Sequence, residues 1–258
     1  MTYSEQEARE LVIEAGHRLI EKKLIARTWG NISARISDEA FVITPSGRAY
    51  ETLRPEDLVT VRIADCSYEG EVKPSSEKGI HAAAYALRPE VGFIIHTHQF
   101  YASAVCAEGR DTDAAPCAAY GLPGTGKLKK AVAAAIAAHP DRTAFLMARH
   151  GAVCLGGTCE EAFAAAGRLE EDCEKLYEAR AAEGKNAGET RPWLDDYAQL
   201  IGRGWKAGEA EDAEAIEMIR EKNRAAARYV RTGRPLGFLD ASLQRRVYLK
   251  KYSKLKNQ

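Results

Sequence analysis

The chain of 258 residues has no surplus of charge of either sign: 37 Lys and Arg stand against 37 Asp and Glu. That balance excludes the broad cationic field that nucleic acid or an anionic membrane would need, though it leaves room for a local anion site. No run of 18 apolar residues occurs, so no membrane span is expected. The opening MTYSEQEARE lacks a basic segment followed by an apolar one, and no secretion leader is expected. Six cysteines (Cys66, Cys106, Cys117, Cys154, Cys159 and Cys173) include no CxxC pair. That usage points to reduced thiols of a cytoplasmic protein rather than a disulfide framework. No repeat period or heptad register is visible. What remains is a soluble globular chain, long enough for one large domain or one domain with an appendage at roughly 150 residues per domain.

Apolar periodicity supplies the elements. Residues 4–25 carry Leu11, Val12, Ala15, Leu19 and Ile20 on one stripe, with Ser4 as cap, and predict an amphipathic helix. His17 within it reads as a surface or packed helical histidine. TWGNISARI and AFVITPSG read as a hairpin or two nearby strands, and RPEDLVTVRI as a turn and a strand. KPSSEKGIHAAAYALR is a loop feeding a helix, PEVGFIIHTH a strand, and QFYASAVCAEG helical. GLPGTGKLKKAVAAAIAAHP gives a turn and an alanine-rich helix, with His139 in a cap role at its end. DRTAFLMARHGAVCLGGT is strand, turn and strand, and a long helix runs on to Gly184. A boundary is expected within 184–192. It separates a domain over 1–185 from a mainly helical extension over 186–258 with a basic, frayed end. Mixed strands and helices favour a layered α/β or α+β domain.

Three histidines and one carboxylate attract attention. His96 and His98 alternate by two on FIIHTH, so a strand presents both rings on one face. They read either as a buried core pair or as two ligands of one metal ion. His150 ends a second apolar run, as a strand-terminal histidine or a third ligand. Glu77 lies at a helix start, where a carboxylate either caps the helix or, near a metal, acts as ligand and base. His81 follows it by four residues and shares its helical face. Gly30 with Asn31, Ser46 with Gly47, and Ser75 with Ser76 read singly as turns. Converging in space, they would form a phosphate pocket. GLPGTGKL matches GxxxxGK but carries Leu128 where a magnesium-binding hydroxyl belongs, and is read as a turn with a helix start at Thr125.

In order and spacing, these pieces resemble the class II aldolase and adducin family over about residues 5–180. They are Gly30-Asn31-Ile32-Ser33, Ile43-Thr44-Pro45-Ser46-Gly47, Ser75-Ser76-Glu77, His96-Thr97-His98, Gly124-Thr125 with Leu128, and His150-Gly151 with Gly156. The resemblance implies a three-layer α/β/α sandwich around a central, mainly antiparallel sheet. It implies Zn2+, or another divalent ion such as Mn2+ or Co2+, on His96, His98, His150 and Glu77. It implies a phosphate pocket of Gly30, Asn31, Ser46, Gly47, Ser75 and Ser76, and a homotetramer. The implied reaction is retro-aldol cleavage of a phosphorylated small-molecule sugar, a ketose 1-phosphate like fuculose 1-phosphate, with Glu77 handling the proton. Dihydroxyacetone phosphate and an aldehyde are the products. A sugar-phosphate 4-epimerase and a methylthioribulose-phosphate dehydratase share the scaffold, and an adducin-like interaction module is the non-enzymatic alternative. Only 26 residues separate His98 from Thr125, shorter than the fuculose-phosphate aldolase pattern, so its catalytic tyrosine does not carry over to Tyr120.

Overall fold

The computed structural model describes residues 2–182 except 23, 26–29, 107–108 and 122. The expected boundary near residue 185 and the helical extension over 186–258 lie outside the described residues. Helix α1 spans Glu5–Glu21 and starts where expected, with Ser4 Oγ accepting from the Glu7 amide. It ends four residues short of the expected limit. His17 is exposed on it. Seven strands follow in one sheet: β1 Asn31–Arg35, β2 Ala40–Ile43, β3 Val59–Arg62, β4 Phe93–Thr97, β5 Cys117–Ala118, β6 Ala144–Met147 and β7 Gly151–Gly156. Between them run α2 Lys78–Leu87, α3 Phe100–Val105 and α4 Gly126–Ala138, and α5 Cys159–Ala182 closes the described chain. Two short 3-10 turns, Tyr50–Thr52 and Pro55–Asp57, precede β3.

The strand order is β3-β2-β1-β4-β7-β6-β5, antiparallel at every step except the parallel β5–β6 pair. The pleat divides the apolar residues into two cores. Ile32, Ala34, Phe93, Ile95, Ala152 and Cys154 pack with residues of α1, α3 and α5. Ile94, Val153, Leu155, Phe145 and Met147, with Phe41 and Ile43, pack with residues of α2 and α4. Coverage of both faces leaves every residue of the central strands buried. The result is the three-layer α/β/α sandwich with a largely antiparallel centre that the resemblance implied.

Local signals placed several element ends correctly. Thr125 caps α4, its hydroxyl accepting from the Leu128 amide, while the Leu128 side chain is buried in the second core. Leu128 is therefore a core residue at a helix start, and its loop is a turn, as read. His139 stands at the C-terminal cap of the same helix. The β6–β7 hairpin turns through Arg149, which holds a left-handed φ of 58°. A bulky residue adopts that conformation only under a tight turn's constraint.

Behind the end of β4, α5 holds the start of α3. The Glu170 carboxylate accepts from the amides of Tyr101 at 2.7 Å and Ala102 at 3.0 Å, two of the donors that a helix start leaves unpaired. Gln99 bridges the same region, donating to Ala166 O at 2.8 Å and accepting from the Thr97 hydroxyl at 2.5 Å. Glu170→Ala leaves both amides unsatisfied in a partly buried place, and should destabilise the fold by about 2 kcal/mol. Urea unfolding of the variant against the parent protein checks this.

Candidate metal centre

The site forms on the α2/α4 face, at one end of the sheet. His96 in β4 has the parity of Ile94, so its ring projects to that face, and His98 follows it two residues on. His150 arrives from the β6–β7 turn, one residue before β7. Ring centroids lie 4.9 Å apart for His96 and His98, 5.0 Å for His96 and His150, and 5.1 Å for His98 and His150. One ligand atom from each falls within 4.8 Å of the others, and all three residues are buried. The close approach depends on two glycines. A Cβ at Gly151 would stand 2.3 Å from Thr97 O, and one at Gly30, where φ is +93°, would stand 2.4 Å from His96 O. Neither position admits a side chain while the strands keep this spacing.

Glu77 completes the cluster. It occupies the cap position of α2, yet its side chain makes no capping hydrogen bond. The capping alternative is thereby set aside: the carboxylate turns inward, with Oε2 3.1 Å from His96 Nε2 and Oε1 3.2 Å from His150 Nε2. Burial pushes the Glu77 carboxyl up, but positive charge on the imidazoles of His150 and His96, when they are protonated, outweighs burial and holds it well below the usual carboxylate range.

The proton inventory shows what fits between these groups. His96 Nδ1 lies 2.8 Å from Ala152 O, and a carbonyl only accepts, so Nδ1 carries the proton. In the neutral ring, Nε2 then presents a lone pair toward a carboxylate oxygen. Two lone pairs at 3.1 Å repel unless a cation lies with them. Neither His96 Nε2 nor Glu77 Oε1 has a hydrogen-bond partner among the described residues. Three imidazoles and a carboxylate are a donor set suited to a borderline divalent ion, and a backbone carbonyl accepting from the far ring nitrogen, as Ala152 O does from His96 Nδ1, is the usual orienting partner. The residues present therefore fit a divalent metal.

A polar ladder supports Glu77 from behind. Asn31 is opposite His96 in the β1–β4 register, and its Nδ2 donates to Glu77 Oε2 at 3.3 Å. Its Oδ1 accepts from His81 Nε2 at 2.5 Å. Ser33 Oγ lies 2.6 Å from His81 Nδ1 and 2.8 Å from the Tyr85 hydroxyl. Arg35 ends the row, donating to Val91 O, Tyr85 O and Arg88 O and lying over the Tyr85 ring. Burial, and next the nearby His96, push the His81 imidazole down to about 3, so it is neutral at ordinary pH. Tyr85 and Arg35 were not singled out from the sequence, and Ser33 entered only as the last residue of the Gly30-Asn31-Ile32-Ser33 motif. The available signal was the alternation of polar Asn31, Ser33 and Arg35 along a strand whose other residues are apolar.

The three polar loops meet. Thr44 N donates to Ile32 O, Ser75 N to Thr44 O, and Ser46 N to Lys73 O, with Pro45 bridged to Pro74. Gly30-Asn31, Ser46-Gly47 and Ser75-Ser76 are thus laced side by side. Ser46, Gly47 and Ser76 are exposed, while Asn31 and Ser75 are buried. The Asn31 side chain is engaged with Glu77 and His81, and Ser75 Oγ accepts from the Glu77 amide. Gly124 lies against Ser76. Tyr120 is buried under the Arg149 guanidinium. Among the described residues, no helix is long and apolar enough to cross a membrane.

Comparison with known proteins adds an independent line. The model of the class II aldolase and adducin N-terminal domain matches residues 10–177. The 5-deoxy-D-ribulose 1-phosphate aldolase of Bacillus thuringiensis serovar kurstaki is 33% identical over 184 residues, covering 67% of this chain and 84% of that protein. An L-fuculose 1-phosphate aldolase structure superposes with a TM-score of 0.61 at 27% identity, over 76% of this chain and 96% of that one. YgbL from Klebsiella pneumoniae, a candidate aldolase, epimerase or decarboxylase, gives 0.60 at 27% identity, over 68% and 90%. With most of the described residues inside the matched domain and a relative one-third identical, this chain belongs to the class II aldolase and adducin family.

Proposed function

We propose that this chain is a metal-dependent aldolase that cleaves a ketose 1-phosphate to dihydroxyacetone phosphate and an aldehyde. The observation that carries the reading is the buried Glu77 carboxylate, turned away from its helix and set against His96 and His150 in a three-histidine cluster. His96, His98 and His150 would hold the ion, Zn2+ first, with Glu77 as a further ligand. Bound there, a divalent ion supplies Lewis-acid stabilisation of the negative charge that carbon–carbon cleavage leaves on the ketose fragment.

The chain's own groups do the rest. Ser46, Gly47, Ser75 and Ser76, with Gly30 and Asn31, would form the phosphate pocket, the exposed Ser46 and Ser76 supplying hydroxyls while Asn31 and Ser75 shape it from within. A dianionic phosphate held there needs no net positive charge. That anchor orients the sugar so that its carbonyl end reaches the histidines. In cleavage the C3–C4 bond breaks and the C4 hydroxyl gives up its proton as the aldehyde forms. Glu77 then delivers a proton to the carbon left next to the carbonyl, and removes it in the reverse, condensation direction. The relatives named for 5-deoxy-D-ribulose 1-phosphate and L-fuculose 1-phosphate cleavage both take ketose 1-phosphates, and a substrate of that class, fuculose 1-phosphate-like, is assigned here. The assignment extends to a homotetramer, following the family resemblance, and to a cytoplasmic setting. Burial pushes the thiols of Cys154 and Cys159 up to about 12, so they pack as neutral apolar groups.

Two outcomes are expected. Dihydroxyacetone phosphate release, assayed by coupled reduction over a panel of fuculose, rhamnulose, ribulose and 5-deoxyribulose 1-phosphates, should vanish on chelation and return with Zn2+. No release from any of them by metal-loaded protein would overturn the aldolase reading and favour epimerisation or dehydration. Glu77→Gln should keep most of its metal, read by elemental analysis, while turnover falls at least ~100-fold, the scale of a lost general base. Near-parental turnover with metal retained would remove Glu77 from acid–base duty.

A further inference from the structure

We propose that His81 is a positioning residue for Glu77, acting through Asn31 by a one-way chain of buried hydrogen bonds. The inference rests on the assignment of Glu77 as metal ligand and base.

The direction of the chain follows from which atoms donate. Glu77 Oε2 is a carboxylate oxygen and only accepts, so the Asn31 atom facing it at 3.3 Å is the amide nitrogen. The other Asn31 atom is therefore the carbonyl oxygen, also an acceptor, and His81 Nε2 at 2.5 Å donates to it. A neutral imidazole with its proton on Nε2 accepts at Nδ1, so the Ser33 hydroxyl donates across 2.6 Å. Ser33 Oγ then accepts from the Tyr85 hydroxyl at 2.8 Å. Every bond points toward the carboxylate: Tyr85 to Ser33 to His81 to Asn31 to Glu77. All five residues are buried, with Ser33 and His81 wholly inaccessible.

Asn31 alone does not specify this arrangement. Its amide is nearly symmetric in shape, and a half-turn would set the carbonyl oxygen against Glu77. Repulsion between two acceptors would then push the carboxylate away from His96. His81 forbids the half-turn, because a protonated Nε2 tolerates only an oxygen opposite it. Ser33 suits that tautomer, since its hydroxyl can accept from Tyr85 and donate to Nδ1 at once. The Phe41 ring lies nearly parallel to the His81 ring, with centroids 6.4 Å apart and planes 15° from parallel.

The test uses the full 258-residue protein and three substitutions: His81→Leu, His81→Gln and Asn31→Ala. Leu removes the donor, whereas a Gln amide nitrogen can replace Nε2. The first readout is Co2+ affinity and the visible Co2+ absorption spectrum of the substrate-free protein, which reports ligand geometry without any assumption about substrate. His81→Leu should weaken Co2+ binding about tenfold and change the spectrum, His81→Gln should recover most of both, and His81→Leu added to Asn31→Ala should bring no further loss. In turnover, His81→Leu should lower kcat while KM stays within about twofold. Parental affinity and spectrum in His81→Leu would overturn the proposal, as would a loss additive with that of Asn31→Ala.

Should His81→Leu fail to fold, two-bond proton–nitrogen correlation NMR of the unmodified protein decides. A proton on His81 Nε2 supports the chain, and a proton on Nδ1 overturns it. Failure of the aldolase reading alone would show as absent turnover with these Co2+ and tautomer results intact.

Discussion

A buried strand face made of Asn31, Ser33 and Arg35 has to find polar partners, and β1 finds all of them on α2, at its N-terminal cap and in the loop that follows it. Asn31 engages Glu77 and His81, Ser33 engages His81 and Tyr85, and Arg35 takes the carbonyls of Tyr85, Arg88 and Val91. Each buried polar group left without a partner costs about 1–3 kcal/mol, so sliding α2 along the sheet breaks several bonds together. The cation at the helix's C-terminal end also suits the partial negative charge there. Helix α2 is therefore pinned at both ends, and the carboxylate at its start has little freedom.

The metal-binding cluster inherits its geometry from that constraint. With α2 fixed, Glu77 enters between the rings of His96 and His150, which arrive from β4 and from the turn that leads into its neighbour β7. The absence of side chains at Gly30 and Gly151 lets the backbones of β1, β4 and β7 close up beneath it. On the other side of the sheet, Glu170 and Gln99 hold the chain as it leaves His98. The site is thus supported from both layers, by a polar row on one face and by a capped helix start on the other.

How much of this was legible in the sequence depended on whether the determining interaction was local. Ser4, Thr125 and His139 mark helix ends through bonds within a few residues, and each was found at its expected cap. The HxH spacing set His96 and His98 on one face because strand parity is local too. Glu77 was ambiguous because its position at a helix start is a capping signal. The choice against capping is made by His96, His150 and Asn31, all distant in sequence. His81 was visible only as a neighbour of Glu77 on one helical face, since its partner Ser33 lies 48 residues earlier. The two-residue strand β5 and its parallel pairing had no periodic signal at all.

The pleat of β1 has one more consequence. Its residues alternate between Asn31, Ser33 and Arg35 on the α2 side and Ile32 and Ala34 on the side of α1 and α5. A strand buried on both faces is ordinarily free to pair in either of two frames, because apolar residues suit both layers. Here a slip by one residue would send an amide, a hydroxyl and a guanidinium into an apolar layer and strand Ile32 and Ala34 among polar groups. Chemical difference between the two layers therefore selects a single strand register, and misalignment during folding is penalised by the same side chains that hold the carboxylate.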